Sequence, residues 1–142
     1  MLVHSGRYIN PKYPELVFGS SWEFKVYDFL VEHDIEFQFQ PDIILPYEFE
    51  GKTHFYHPDF LINGKIYEVK GEQFFRKNKQ GVEEMCCPRR RKESEQEYER
   101  RCSRHRAKHQ CMLRNNVVIL RGKNIRNLTL ELFVPSGMIL ST

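Results

Sequence analysis

The sequence predicts one mixed α/β domain whose core elements run in the order αβββαβ. Three observations carry that expectation: an amphipathic run behind Ser20, two apolar-rich runs flanking Asn63-Gly64, and the short apolar run Val117 to Leu120 behind a long charged helix. At 142 residues the chain has the length of one domain and can bury roughly 70% of the surface its unfolded form exposes. Hydrophobic content of 40%, with 13% aromatic residues, supplies a core, and the mean hydropathy of -0.61 reflects the charges.

The first helix is expected from about Ser21 to His33. Trp22, Val26, Phe29 and Leu30 recur at helical spacing, and Ser20 is a natural N-cap. From Ile35 to Gln40, apolar Ile35, Phe37 and Phe39 alternate with polar neighbours, the period of a half-buried strand. Pro41 should end it, and Pro46 should interrupt the next segment. The runs Phe55 to Ile62 and Lys65 to Lys70 flank Asn63-Gly64, a strong signal for a two-residue type I′ hairpin. Residues 72–92 lack periodicity and contain Gly81 and Pro88, so a basic loop or insertion is expected there. A helix from about Glu93 to Leu113 then serves as the crossover to a parallel strand at Val117 to Leu120. A last short helix is expected within Asn124 to Phe133, and a loosely held tail from Pro135 to Thr142.

No apolar run approaches the roughly eighteen residues of a membrane span, and Met1 to Pro14 lacks the apolar stretch of a signal peptide. A cytoplasmic protein that does not enter a membrane is expected. Its four cysteines should then be thiols or metal ligands. The net charge of +3 is unevenly spread: Arg76 to Lys108 holds twelve Lys and Arg against six Glu, so that stretch is basic and the remainder acidic. Interleaved Glu95, Glu97 and Glu99 explain part of it as helix-surface pairing, but Arg89-Arg90-Arg91-Lys92 has no acidic neighbour before Glu93.

With Asn63 and Gly64 as the turn, Ile62 should face Lys65, Leu61 face Ile66, Phe60 face Tyr67, Asp59 face Glu68 and His57 face Lys70. Side chains alternate along a strand, so Asp59, Glu68, His57 and Lys70 would share one face. Two ionised carboxylates about 5 Å apart repel by roughly 3 kcal/mol at an effective dielectric near 20, more than one lysine can offset. A hard dication, Mg²⁺ or Mn²⁺, suits such a pair because it takes carboxylate, water and phosphate oxygens. Lys70 would then orient water or stabilise transition-state charge, and the Val69 carbonyl is a candidate further ligand. The competing reading is a solvated ion-pair patch, which Leu61 and Ile66 on the same face argue against.

Pro58-Asp59 followed by Glu68-Val69-Lys70 resembles the PD-(D/E)XK nuclease motif. The run from Gly19 to Gly71, including "SSWEFKVYDFLVEHDIEFQFQP" and "YHPDFLINGKIYEVKG", is similar to the phage endonuclease I group of Holliday-junction resolvases. The segment "AKHQCMLRNNVVIL" looks like small phage proteins described as endonucleases. The resemblance implies a restriction-endonuclease-like core, a Mg²⁺-dependent endonuclease acting on DNA in recombination, a homodimer, and Glu23 as a further acidic ligand. A phage-encoded chain would work in the host cytoplasm. Beyond Gly71 the likeness fades. A nicking or transposase-like end-cleaving nuclease, and a catalytically inactive DNA-binding protein on the same scaffold, are the alternatives.

Glu23 also completes a Ser20-x-x-Glu23 capping box, so cap and ligand compete for it. His57 could bind phosphate or orient water from behind the ligands, or be structural. Arg89, Arg90, Arg91, Arg104, Lys108 and Gln110 are candidate DNA contacts, against the reading of a solvent-facing helix. Cys86, Cys87, Cys102, His105 and His109 raise the question of structural Zn²⁺, but their spacing fits no established module and buried thiols along an apolar stripe are the favoured reading.

Overall fold

A computed structural model describes residues 2–4 and 7–134, with side chains from Arg7 onward. The tail expected from Pro135 lies outside the described residues. Mixed α/β architecture is observed, with a mixed sheet flanked by helices. A short antiparallel pair, β1 (Leu2–His4) and β2 (Arg7–Ile9), precedes helix α1 (Ser21–Glu32). Ser20 caps α1, its side chain accepting a hydrogen bond from the Glu23 N–H, and Val26 and Leu30 point into the core as their spacing requires.

The central sheet has four strands in the order β10-β7-β6-β3. They are β3 (Phe37–Phe39), β6 (Phe60–Ile62), β7 (Lys65–Lys70) and β10 (Val118–Arg121). The first three are antiparallel neighbours, and β10 joins β7 in parallel after helix α2 (Glu95–Arg114) crosses over. Asn63 and Gly64 have φ of 49° and 76°, the left-handed values a type I′ turn demands, and the observed register pairs Ile62 with Lys65, Leu61 with Ile66 and Phe60 with Tyr67.

Alternation along β7 divides the molecule into two cores. Tyr67 and Val69 join Val26, Leu30, Phe60, Ile62 and Leu120 on the α1 side. Ile66 packs on the opposite side with Cys111, Met112 and Val117. Each fully buried side chain of this kind contributes about 1.5–3 kcal/mol, and Glu68 is carried into the α2 side because it follows Ile66 by two residues.

Three expectations need correction. Pro46 does not interrupt the chain: it lies within β4 (Leu45–Phe49), which among the described residues pairs with β5 (Lys52–Tyr56) alone, so each has an edge there that tolerates a missing N–H donor. Glu50 and Gly51 turn this ribbon with φ of 52° and 72°. Residues 72–92 are not all loop, because β8 (Phe75–Lys77) and β9 (Glu83–Met85) form a hairpin closed by Asn78, whose side-chain oxygen accepts from the N–H groups of Gln80 and Val82. Finally, the last helix is two single turns, α3 (Gly122–Ile125) and a 3-10 turn at Leu130–Leu132.

Candidate active site

Asp59 lies one residue before β6, and its backbone carbonyl accepts from the Gln40 N–H at 2.7 Å. Its carboxylate turns toward β7, where Oδ2 accepts from the Val69 N–H at 2.8 Å. In an extended strand a residue's N–H and C=O point the same way, so the Val69 carbonyl also faces the Asp59 side. Glu68 is 4% exposed. The Tyr56 hydroxyl donates to its Oε1 at 2.8 Å, and Lys70 Nζ stands 3.7 Å from its Oε2. Lys70 in turn lies 4.6 Å above the centroid of the Phe74 ring, which limits where its amine can swing.

Glu23 reaches this centre from the first turn of α1. Its backbone N–H is used by Ser20, and its carboxylate lies against Gly19 rather than on the Ser20 N–H, so the side chain does not complete the capping box on Ser20. A Cβ built on Gly19 would stand 2.2 Å from Glu23 Oε2, so the missing side chain at position 19 makes room for the acid.

The acids strain one another electrostatically. Burial and the charge of Glu68 push Glu23 up to about 7. Asp59 retains some accessible surface, yet protein atoms enclose its carboxyl closely. Desolvation, then Glu68, then Glu23 raise its pKa well above the usual aspartate value. Burial and the neighbouring Glu68 raise the Tyr56 hydroxyl, which keeps it a donor. From α2, Lys108 faces the same centre: burial and the Lys70 charge lower its pKa, while Glu68 and Asp59 oppose the shift. A carboxyl raised by its carboxylate neighbours, as Asp59 is by Glu68 and Glu23, is the chemistry a dication relieves. Asp59 and Glu68 fit Mg²⁺ or Mn²⁺ on that ground. Among the described residues no three His, Cys, Asp or Glu converge in ready ligand geometry. A site built on two carboxylates, water and substrate phosphate requires no such triplet.

The remaining candidates separate. His57 is corrected: β5 ends at Tyr56 and β6 begins at Phe60, so the ladder does not extend to His57, which is exposed, and Lys70 pairs instead with Arg121 of β10. Tyr56, one residue earlier, occupies the inward place. Arg89 is held by two hydrogen bonds to Glu95 and lies 4.0 Å over the Tyr98 ring. Arg91 is exposed. Arg104 and Lys108 share a cavity of about 260 Å³ with Arg90. Gln110 is exposed and, two residues past Lys108 on the helix, points to nearly the opposite side.

Cys86, Cys87 and Cys102 pack with Tyr98 as a small buried cluster, with Cys87 Sγ 3.4 Å from Cys102 Sγ. Burial pushes the Cys87 thiol up to about 11, as expected of a packed thiol rather than a reactive one. His105 leaves the group to lie near Phe74, and His109 is two helical turns beyond Cys102, roughly 10 Å along the axis.

Sequence reasoning missed Tyr56 and Gly19. Glycine immediately before a capping serine was a readable sign of close approach. The inward turn of Tyr56 had no local sign, since it depends on the ribbon that Pro46 concealed. The fold and site thus define an α/β domain with an acid and lysine centre on the α2 side of its sheet. No family model, curated protein or solved structure matches the chain.

Proposed function

We propose that this protein is a Mg²⁺- or Mn²⁺-dependent DNA endonuclease that hydrolyses phosphodiester bonds at the centre formed by Asp59, Glu68 and Lys70. The observation that carries the reading is the buried Glu68 carboxylate, held by Tyr56 at 2.8 Å with Lys70 at 3.7 Å and Asp59 beside it. A structural ion pair would not gather Glu23 and Asp59, each raised by the Glu68 charge, around one carboxylate. The resemblance of Pro58-Asp59 and Glu68-Val69-Lys70 to the PD-(D/E)XK motif supports the same reading, including its junction-resolving form and a homodimer.

Asp59 and Glu68 would hold the dication, with Glu23 adding charge from α1 and the Val69 carbonyl as a further oxygen. When bound, the cation supplies a Lewis acid for a phosphoryl oxygen and makes water a better nucleophile at neutral pH. Lys70 orients the attacking water through its ammonium group. Lys108 faces the developing negative charge from the other side of the cleft. Water adds to phosphorus as it releases a proton to solvent, the P–O bond to the leaving sugar breaks, and the departing oxygen takes a proton from solvent.

The test is cleavage of linear, nicked and four-way-junction DNA in Mg²⁺, with Lys70→Ala beside the wild type. Loss of cleavage with retained DNA binding is expected. Cleavage by the mutant at the wild-type rate would remove Lys70 from the chemistry, and no cleavage of any substrate by the wild type would leave a DNA-binding protein.

A further inference from the structure

Trp22, the sole tryptophan of the chain, lies in the first turn of α1, one residue before Glu23. Its ring packs on Gly122, where a Cβ would stand 3.6 Å from it, at the end of the sheet where Arg121 pairs with Lys70. Two cations lie over the ring. Lys25 Nζ, one helical turn along α1, is 4.8 Å from the centroid, and the Arg126 guanidinium, just past α3, is 5.8 Å away. A ring fixes a cation through its quadrupole and leaves the charge uncancelled, whereas a carboxylate cancels it. Lys12, Arg89, Arg100, Arg101 and Arg121 are held by carboxylates. Lys25 and Arg126 make no ion pair within 4 Å among the described residues, although acids are close by. Those acids are engaged: Lys12 takes Asp28 and Glu32 at 2.6 and 2.9 Å, and Arg121 takes Glu72 at 2.7 Å. Lys25, Lys123 and Arg126 are all exposed, so this face is positive and ordered.

We propose that Lys25 and Arg126, held over Trp22, grip two phosphates of the DNA backbone on the α1 flank of the cut, with Trp22 as their positioning residue. The proposal rests on the nuclease reading above for its DNA. Two ordered cations that share a ring and lack a counter-charge repel each other, and a polyanion with closely spaced phosphates relieves that repulsion. Because Trp22 and Glu23 are neighbours in the first turn of α1, the gripped phosphates lie within a few nucleotides of the acidic centre. Both cations meet phosphate rather than base edges, so the grip favours no base sequence and serves continuous duplex. It adds a second wall to the cleft, since the basic residues of α2 stand on the other side of the acids.

The experiment titrates the protein with continuous duplex DNA, Ca²⁺ replacing Mg²⁺, at several salt concentrations between about 50 and 200 mM. Affinity is read from the anisotropy of a labelled duplex, and the emission of Trp22 is followed with the unlabelled one. Emission of the wild type should change saturably as DNA binds. The double variant Lys25→Gln, Arg126→Gln should bind about 10–100-fold more weakly near 0.1 M salt, and the slope of log affinity against log salt should fall by about 1.8, the release of two counterions. Lys65→Gln, exposed at the opposite end of β7, should change that slope by less than about 0.5. An unchanged slope in the double variant overturns the proposal, as does an equal change in Lys65→Gln. DNA binding that leaves Trp22 emission unaltered, or no DNA binding by the wild type, overturns it too. Failure of the nuclease reading is seen separately, as the expected binding behaviour without cleavage when Mg²⁺ is restored, whereas cleavage by a double variant of wild-type affinity removes the grip alone.

Discussion

The hydroxyl of Tyr56 donates to Oε1 of Glu68 at 2.8 Å inside the α2 side of the sheet. Tyr56 is wholly buried and Glu68 nearly so, so this bond fixes the rotamer of the acid that also neighbours Lys70. Tyr56→Phe removes the donor and keeps the ring. The expected outcome is a protein that folds with a loss of about 1.5–3 kcal/mol, since one buried charge-assisted bond disappears. Its apparent Mg²⁺ affinity in cleavage should fall by about 10–100-fold, the usual effect of losing a ligand's supporting contact. Mg²⁺ titration of the cleavage rate measures this; an unchanged titration curve would detach Tyr56 from the metal site.

Gly19 has no side chain where the Glu23 carboxylate lies, and a Cβ there would stand 2.2 Å from Oε2. Gly19→Ala should therefore push Glu23 out of the centre without touching either core. Thermal melting is expected to move by less than about 1 kcal/mol equivalent, because Gly19 lies outside regular structure and its φ is not left-handed. Cleavage should fall to the level of Glu23→Gln. A Gly19→Ala protein with full activity, beside an impaired Glu23→Gln, would place the acid's role elsewhere than in its present position.

Burial and Glu68 raise Glu23 from the ordinary 4.5 to about 7, and Asp59 rises for the same reasons. A group with a raised folded-state pKa contributes stability that is fully present below its unfolded value and lost as pH rises through the folded value. The metal-free protein should therefore lose melting temperature between about pH 4.5 and 7 as these acids are forced to ionise. Mg²⁺ favours the ionised forms, so its stabilising effect should grow over the same range. Melting curves at pH 5, 6, 7 and 8, with and without Mg²⁺, test the sign. A Mg²⁺ stabilisation that shrank with rising pH would contradict the coupled-acid account.

The cluster of Cys86, Cys87 and Cys102 packs against Tyr98, on which Arg89 lies at 4.0 Å. Such packing joins the loop after β9 to α2. Treatment with a strong chelator should leave the circular dichroism and melting temperature unchanged, while Cys102→Ser should destabilise by about 1–3 kcal/mol by placing a hydroxyl in an apolar site. A chelator-induced loss of helix would assign these thiols to zinc instead.

What could be read from the chain were the elements governed by local rules. Ser20 caps α1 because its side chain bonds an N–H three residues on. Asn63 and Gly64 set the β6-β7 register because only residues tolerant of positive φ turn a hairpin in two steps. Val118 to Arg121 runs parallel to β7 because a helix separates them. Asp59, one residue before β6, falls just outside that register, and its carboxylate turns toward β7 to bond the Val69 N–H. Tertiary structure decided the rest. It placed Tyr56 rather than His57 against the site, because the chain between β5 and β6 leaves the ladder. It also brought Lys108 from α2 over the acids and folded the β8-β9 hairpin where no periodicity announced one. Neighbours in sequence obey torsional and spacing rules visible in a few residues, whereas the approach of α2 and the β4-β5 ribbon to the sheet is set by which apolar surfaces bury each other across the whole chain.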